Sequence, residues 1–438
     1  LGTNSIDSGL NRVPELNMGL YAAFGHSGAT NPIWDLEKAK CVIIVSGNPT
    51  EEQNVLAVPL KKAARDGAQI VVIDTRETEL TRYANVWLRH KPGTEVVLLG
   101  GIARVILDEA MENKDFVENH CDGLKELKQA LWTFDLARVS SECGVDTDSV
   151  RRAARAYCQG PAAIVFGVDT VLQSERSDLV NTVVNLALLT GNIGKEGGGI
   201  FPLLEGANTQ GATDVGAAPD LLPGYVDVRD PLARERLGEK WSSNLPDLPG
   251  VGVNALVTGI KRAKVQAAIL MADGIPTDVK GNGNLPDKLG ALDFLVISSA
   301  FHSSLTEIAD VVLPASTYPE QSGTVTSLER RVQLINSAWA PKHEEKPGWW
   351  TLASIAQQMG AKGFEYETAE EVFEEIRRIV PAYGGITYER LQETGIQLPC
   401  PDDEHARWIH DRCLGMAGFG LRRYVAGCRR WTVAPDPG

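Results

Sequence analysis

The chain has 438 residues, of which 23% are charged and 43% hydrophobic, and it carries a formal net charge of −14 at pH 7. That length calls for two or three domains rather than one, and the balance is that of a soluble globular protein. The acidic excess argues against nucleic acid as a partner. No apolar run approaches the ~20 residues of a membrane span, so none is expected.

The seven cysteines (Cys41, Cys121, Cys143, Cys158, Cys400, Cys413 and Cys428) are scattered, form no C-x-x-C pair and are odd in number. Neither a disulfide framework nor a zinc site gains support from them. Free thiols suit a reducing compartment, and a cytoplasmic location is the expectation.

In chain order, Leu1 to Asn31 reads as a glycine- and asparagine-rich loop with one helical patch at Leu16–Phe24. A strand–helix–strand unit follows. Cys41–Val45 is a short apolar run of buried-strand type, Glu51–Arg65 has helical spacing with Pro59 expected to kink it, and Gln69–Ile73 is the second strand. A connection of this length implies a parallel pair in a doubly wound sheet. Ligands of such sheets lie outside the carboxyl ends of the strands. That places Ser46, Gly47 and Asn48 after the first strand, and Asp74, Thr75 and Arg76 after the second, where a nucleotide would sit. Asp74 could equally cap the next helix or pair with Arg76.

Pro92-Gly93-Thr94-Glu95 opens a helix over Val96–Glu109, where an acid is also favoured simply by the helix N-terminus. Phe116–Ala130 and Val150–Tyr157 read as amphipathic helices. Ala162–Gly167 reads as a buried strand whose polar end, Asp169-Thr170, points to the same side. A helix over Asp178–Leu189 leads into the most unusual stretch of the chain.

That stretch runs from Leu186 to Tyr225. Gly191, Gly194, Gly197, Gly198, Gly199, Gly206 and Gly211 alternate there with short polar residues, among them Asn192, Asn208, Thr209 and Gln210. Glycine admits positive φ and close approach to a ligand, and loops of this length in compact domains are usually functional or disordered. Leu203, Leu204, Leu221, Leu222 and Tyr225 give it apolar anchors, so an ordered wall of a cofactor site is expected. Further strands are predicted at Ala267–Met271, Phe294–Ile297 and Val311–Leu313. Helices are predicted near Leu352–Met359 and over Ala369–Ile379 and Thr387–Glu393.

The glycine-rich stretch closely resembles the segment GxNNVQGAxDMGALPxxxPGY of formate dehydrogenase large subunits, in the molybdopterin oxidoreductase family. A second run, Thr306–Gln333, resembles the family's TxxADVVLPAxxxxExxGTxTNxERRVQ. The likeness covers about Gly2 to Pro401 and ends at Leu398-Pro399-Cys400-Pro401, where the family has WPCP. It implies an α/β fold of the formate dehydrogenase/DMSO reductase-like type, with doubly wound Rossmann-like units. The expected division is 1–190 and 191–325 as two α/β cofactor-binding domains, and 326–405 as a helical and irregular segment. Residues 406–438 form an arginine-rich tail that is either a solvated extension or a shifted reading frame.

The resemblance further implies bis-molybdopterin guanine dinucleotide with molybdenum or tungsten as cofactor. Asp74-Thr75-Arg76 stands where the family's DPR contacts a guanine nucleotide half, with Thr75 in place of the proline. Glu95 stands where the acid of PGTD binds guanine. Gly167, Asp169, Gly191, Asn192, Gly206, Asn208, Gln210 and Gly274 (the last at the family's GENP) join the implied cofactor set. Gly323 and Thr324 would form a phosphate-approaching turn, and Glu329, Arg330 and Arg331 could equally be a structural ion-pair network.

In the family, formate is oxidised at a metal held by dithiolenes and one cysteine or selenocysteine, followed by a histidine. Those places fall on Val13 and Pro14, in the run Asn4 to Pro14. Ser8 could supply an oxygen ligand after a register change, while Cys41 and His26 read better as core and structural residues. The family arginine that holds formate aligns with Ser174, with Arg176 as the substitute two positions on. A [4Fe–4S] cysteine quartet would lie upstream of Leu1, and the chain is expected to be truncated. Two functions follow. One is part of a formate-dehydrogenase-type subunit taking a small substrate such as formate and passing electrons to iron–sulfur or flavin partner subunits. The other is a non-catalytic relative like the large iron–sulfur subunit of NADH–quinone oxidoreductases.

Overall fold

The computed structural model of the chain describes residues 2–8, 14–168, 171, 173–262, 264–272, 278–279 and 283–401. The described residues within Val13–Gln210 and Thr326–Arg331 form one compact unit, and those within Leu1–Arg12, Gly211–Val325 and Val332–Asp403 form another.

The first unit is a five-stranded parallel sheet: β1 (Cys41–Val45), β2 (Gln69–Ile73), β3 (Val86–Leu88), β4 (Ala162–Phe166) and β5 (Gly199–Pro202), in the order β3-β2-β1-β4-β5. Cys41 pairs with Gln69 on one side and with Ala162 on the other. The helices are α1 (Pro14–Phe24), α2 (Pro49–Glu52), α3 (Asn54–Arg65), α4 (Glu95–Asp108), α5 (Lys114–His120), α6 (Leu124–Ala130), α7 (Leu136–Cys143), α8 (Thr147–Tyr157) and α9 (Arg176–Leu189).

Why the sheet is buried on both faces can be read from its alternation. Successive strand residues point to opposite faces. Cys41, Ile43 and Val45, with Val71, Ile73, Ile164 and Phe166, enter one core with residues of α1, α4, α8 and α9. Val42 and Ile44, with Ile70, Val72, Ala163 and Val165, enter a second core with Leu56 and Leu60 of α3. Continuous apolar strands are what a doubly covered parallel sheet demands, and each fully buried Ile, Val or Phe contributes ~1.5–3 kcal/mol.

β1, β2 and the strand Ala267–Met271 have the bounds expected from sequence. Other elements differ for local reasons. The helix expected over Glu51–Arg65 is two, broken at Gln53, which leaves helical backbone (φ −137°, ψ 64°); Pro59 is accommodated inside α3. The helix expected over Phe116–Ala130 divides into α5 and α6 at Gly123, whose φ is +87°. Helix α7 was not expected, although its Asp135 cap and its terminal Gly144 (φ +74°) are both plain in the sequence.

The glycine-rich stretch is not a bare loop. It contributes β5, the helix Thr209–Asp214 and short strands at Leu221–Leu222 and Val226–Asp227. The first unit therefore runs to Gln210 rather than ending at residue 190, because β5 is its edge strand. The described residues 332–401 belong with the second unit instead of forming their own segment. The arginine-rich tail lies outside the described residues.

In the second unit, Val311–Pro314, Phe294–Ser299 and Ala267–Met271 make a three-stranded parallel sheet in that order. Leu295 and Ile297 pack with Leu289 and Leu305, while Val311, Val312 and Phe294 remain exposed. Here the motif residues Asp214 and Tyr225 have a structural task. The buried Asp214 carboxylate accepts the hydroxyls of Tyr225 and, at 2.7 Å, Tyr383. A carboxylate this deep is tolerated when each oxygen has a donor.

Candidate functional site

The chain's direction of travel across the sheet reverses between β1 and β4, since β2 and β3 lie on one side of β1 and β4 and β5 on the other. Such a switch point opens a crevice at the strands' carboxyl ends. Two glycines make the crevice here. A Cβ on Gly167, just after β4, would stand 2.3 Å from the Ser46 carbonyl oxygen. One on Gly47, just after β1, would stand 2.4 Å from Leu203 Cδ1 and 3.1 Å from the Gly167 nitrogen. Ser46 itself is held at φ +46°, a backbone region costly for a residue with a side chain.

Over these strand ends lies a cleft of about 200 Å³ lined by Ser46, Gly47, Glu52, Asp74, Thr75, Arg76, Pro92, Gly93 and Glu95. Glu95 is the first residue of α4 and is only 5% exposed. Its Oε1 stands 3.5 Å from Ser46 Oγ and 3.8 Å from His90 Nε2, and its Oε2 has no hydrogen-bond partner. Asp74 neither caps a helix nor pairs with the Arg76 guanidinium. Its Oδ1 accepts the Arg76 backbone N–H at 2.9 Å, and Arg76 reaches 4.0 Å from Glu51. Glu52 is held above the usual carboxylate range, first by burial and then by Glu205 and Glu51, against the lowering effect of the Asn48 backbone and Arg76. Three carboxylates face one guanidinium, so the cleft is rich in acceptors.

Glu52 was missed from sequence. The signal available was its position in Pro49-Thr-Glu-Glu, the first turn after the β1 loop. Asn48 is buried beside the cleft, where its Oδ1 accepts the Thr50 hydroxyl at 2.7 Å and its carbonyl starts α2.

The remaining expected residues lie elsewhere. Asn192 is at the opposite, amino-terminal end of the sheet, where its Oδ1 accepts the Ala162 N–H at 3.1 Å; Gly191 adjoins it at φ +61°. Gly206 is an exposed turn residue with φ +81°. Asn208 Oδ1 accepts the Thr326 N–H at 2.8 Å, and buried Gln210 donates to the Ser27 carbonyl at 3.4 Å, so both side chains hold loops. Gly323 and Thr324 form the strand Gly323–Thr326 rather than a turn, and no atom comes closer than 4.0 Å to a Cβ placed on Gly323. A glycine cradle is therefore not what that position provides. Glu329 accepts the Ile33 N–H and pairs with Arg331 at 3.0 Å, the structural alternative of the two readings. Asp169 and Gly274 lie outside the described residues.

Arg176 is the first residue of α9 and its Nε points to the Val171 carbonyl at 3.4 Å. Ser8, in the second unit, donates its backbone N–H to the Ala217 carbonyl, while its buried hydroxyl has no partner. Cys41 is a core thiol, pushed up to about 12 by burial and then by Cys158. His26 is buried, with its pKa held well below the usual value by burial and then by Arg330. Among the described residues no three His, Cys, Asp or Glu side chains gather as a metal cage.

A purine nucleotide with amino and imino donors fits the cleft, because the unpartnered Glu95 oxygen is an acceptor awaiting one. The two facing glycines let the strand ends close on one another beneath it.

No described helix is long and apolar enough to cross a membrane. The chain matches the family Molybdopterin oxidoreductase over residues 10–358. It is 34% identical to the F420-dependent formate dehydrogenase subunit alpha of Methanocaldococcus jannaschii, over 89% of this chain and 58% of that protein. It is 33% identical to the assimilatory nitrate reductase catalytic subunit of Bacillus subtilis, over 86% of this chain and 54% of that protein. Its fold is similar to that of acetylene hydratase from Pelobacter acetylenicus, with a TM-score of 0.66 at 21% identity, over 87% of this chain and 54% of that one. The chain thus spans rather more than half the length of these relatives. With 349 of its 438 residues inside the match (10 to 358), the chain belongs to the molybdopterin oxidoreductase family, whose membership implies a molybdopterin cofactor with molybdenum or tungsten.

Proposed function

We propose that this chain is part of the catalytic subunit of a molybdopterin-dependent oxidoreductase of formate dehydrogenase type, and that the cleft over β1–β4 receives one guanine arm of bis-molybdopterin guanine dinucleotide. The observation that carries this is the buried Glu95 carboxylate, whose Oε2 lacks a partner beside the glycine-lined switch point. A guanine edge offers adjacent N–H donors, and a carboxylate accepts two in parallel. Asp74 and Ser46 stand ready for ribose hydroxyls, and Arg76 for a phosphate. The cofactor's metal, when bound, supplies two-electron redox chemistry. Formate oxidation to CO2 releases one proton and two electrons, for which a [4Fe–4S] cluster and iron–sulfur or flavin partner subunits would be the acceptors.

The chain's own share is to bind and orient. Ser8 offers a hydroxyl oxygen in place of the thiolate or selenolate, and Arg176 offers a guanidinium to a carboxylate substrate. Relatives named for formate and for nitrate are 34% and 33% identical to this chain, and both substrates are small planar oxyanions that a guanidinium suits. The test is to express the full-length parent protein with molybdenum and tungsten supplied, then to measure metal and guanine nucleotide together and assay both substrates. The expected result is stoichiometric metal with about two guanine nucleotides, and formate-dependent reduction of an artificial acceptor. Iron without metal or guanine overturns the whole reading. Nitrate turnover without formate turnover overturns the substrate alone.

A further inference from the structure

A second cavity lies at the other end of the same sheet. It has a volume of about 260 Å³ and is lined by Met111, Asn113, Tyr157, Cys158, Gly160, Pro161, Thr190, Asn192 and Lys195. This is below the roughly 300–1,000 Å³ of pockets for drug-sized ligands, a size for a small ion or acid. Its single formal charge is Lys195, which has no carboxylate within salt-bridge distance among the described residues. Burial holds its ammonium below the ordinary lysine range, with Cys158 pulling the other way. Cys158 adds no charge of its own, since burial and then Glu109 push its thiol up to about 11.

The polar groups of the lining are mainly donors. Tyr157 is fully buried, and its hydroxyl lies beside the Thr190 and Asn192 side chains without reaching full hydrogen-bond geometry to either, so its proton has no acceptor within reach. An unsatisfied buried hydroxyl is uncommon and calls for a ligand. Asn113 commits its oxygen to the Phe116 N–H at 3.0 Å, which leaves its amide nitrogen to donate. That nitrogen would be 2.8 Å from a Cβ on Gly191, so the glycine at this position makes the approach possible. Asn192 is fixed behind them, with its oxygen on Ala162 and its nitrogen on Thr190 at 2.8 Å. A floor tied to the strand in this way is rigid.

We infer that this cavity binds a small oxyanion, a carboxylate or a phosphate, held by the Lys195 ammonium, the Tyr157 hydroxyl and the Asn113 amide. Binding would return to Lys195 the counter-charge that burial denies it and would give Tyr157 its missing acceptor. The site is separate from the nucleotide cleft and does not depend on the activity proposed for the whole protein.

The experiment uses the full-length protein. Lysines are acetylated briefly with a succinimidyl ester, with inorganic phosphate, acetate or chloride present at equal ionic strength, and mapped by peptide mass spectrometry. Lys195 acetylation is expected to slow roughly fivefold in phosphate or acetate once either exceeds its dissociation constant several-fold. Exposed lysines such as Lys38 and Lys62 should not respond. Titration calorimetry with phosphate should show affinity weakened roughly tenfold or more in Lys195→Met, and largely kept in Lys195→Arg. Protection by phosphate alone, or by acetate alone, identifies the anion and supports the site. Equal slowing in chloride, no slowing at Lys195, or unchanged phosphate affinity in a folded Lys195→Met protein overturns it. If Lys195→Met does not fold, a folded Lys195→Arg protein that shows no phosphate or acetate binding by calorimetry overturns it as well.

Discussion

The two ends of the five-stranded sheet are built from opposite chemistry. At the carboxyl end, Glu52, Asp74 and Glu95 face a single Arg76, and glycines bring two strand ends within reach of one another. At the amino end, Lys195 has no carboxylate within salt-bridge distance among the described residues, and the polar groups around it are mainly donors. A parallel sheet aligns its strands, so every loop at one edge leaves a strand and every loop at the other enters one. The exiting loops are free to diverge and display side chains, whereas the entering ones must fix the strand start, as Asn192 does for Ala162. One scaffold thus offers an acceptor-rich face and a donor-rich face, suited to ligands of opposite demand.

The sharpest way to break this contrast is at the switch point. Gly167→Val is expected to destabilise the protein by about 3 kcal/mol or more, because the new Cβ meets backbone rather than a movable side chain. Urea unfolding measures it, and a loss below about 1 kcal/mol would show that the strand ends can part. Next in size, Asn192→Ala leaves the Ala162 N–H without its acceptor and is expected to cost about 2 kcal/mol, with guanine nucleotide content unchanged. A fall in nucleotide content with folding intact would mean that the two ends are coupled. Glu95→Gln separates recognition from stability. Nucleotide retention should fall roughly tenfold while the unfolding midpoint holds or rises, since an unpartnered buried carboxylate is itself unfavourable. A stability loss instead would place Glu95 among structural groups. Smallest is Glu51→Gln. The Arg76–Glu51 pair spans 4.0 Å between largely exposed side chains, and no measurable change in melting is expected.

What the sequence disclosed depended on how local the cause was. Strands β1 and β2 announce themselves because burial on both faces leaves no polar residue in CVIIV and only the first in QIVVI. The cleft residues Ser46, Gly47 and Asp74 follow from strand ends alone, whereas Glu95 opens a helix and its place in the cleft is implied by the family resemblance. Gly191 and Asn192 sit at the far end of the sheet, because a glycine–asparagine pair serves a strand start as well as a ligand and composition does not tell which. Gly323 and Thr324 form a strand for a similar reason: a glycine beside β-branched residues reads as a turn until its neighbours supply pairing. The roles of Asn208 and Gln210 rest on partners over a hundred residues away, Thr326 and Ser27, which no window of sequence contains.

The alternation of β1 between two cores has a consequence for how this chain can vary. Odd-numbered residues of Cys41–Val45 serve one core and even-numbered residues the other. Replacing one aliphatic residue by another there disturbs a single side of the sheet. Deleting one residue would instead exchange the two sides for every position beyond it and shift Ser46-Gly47 off the switch point. The central strand can therefore drift in composition but not in length, and an insertion or deletion within it should be lethal to the fold where substitutions are not.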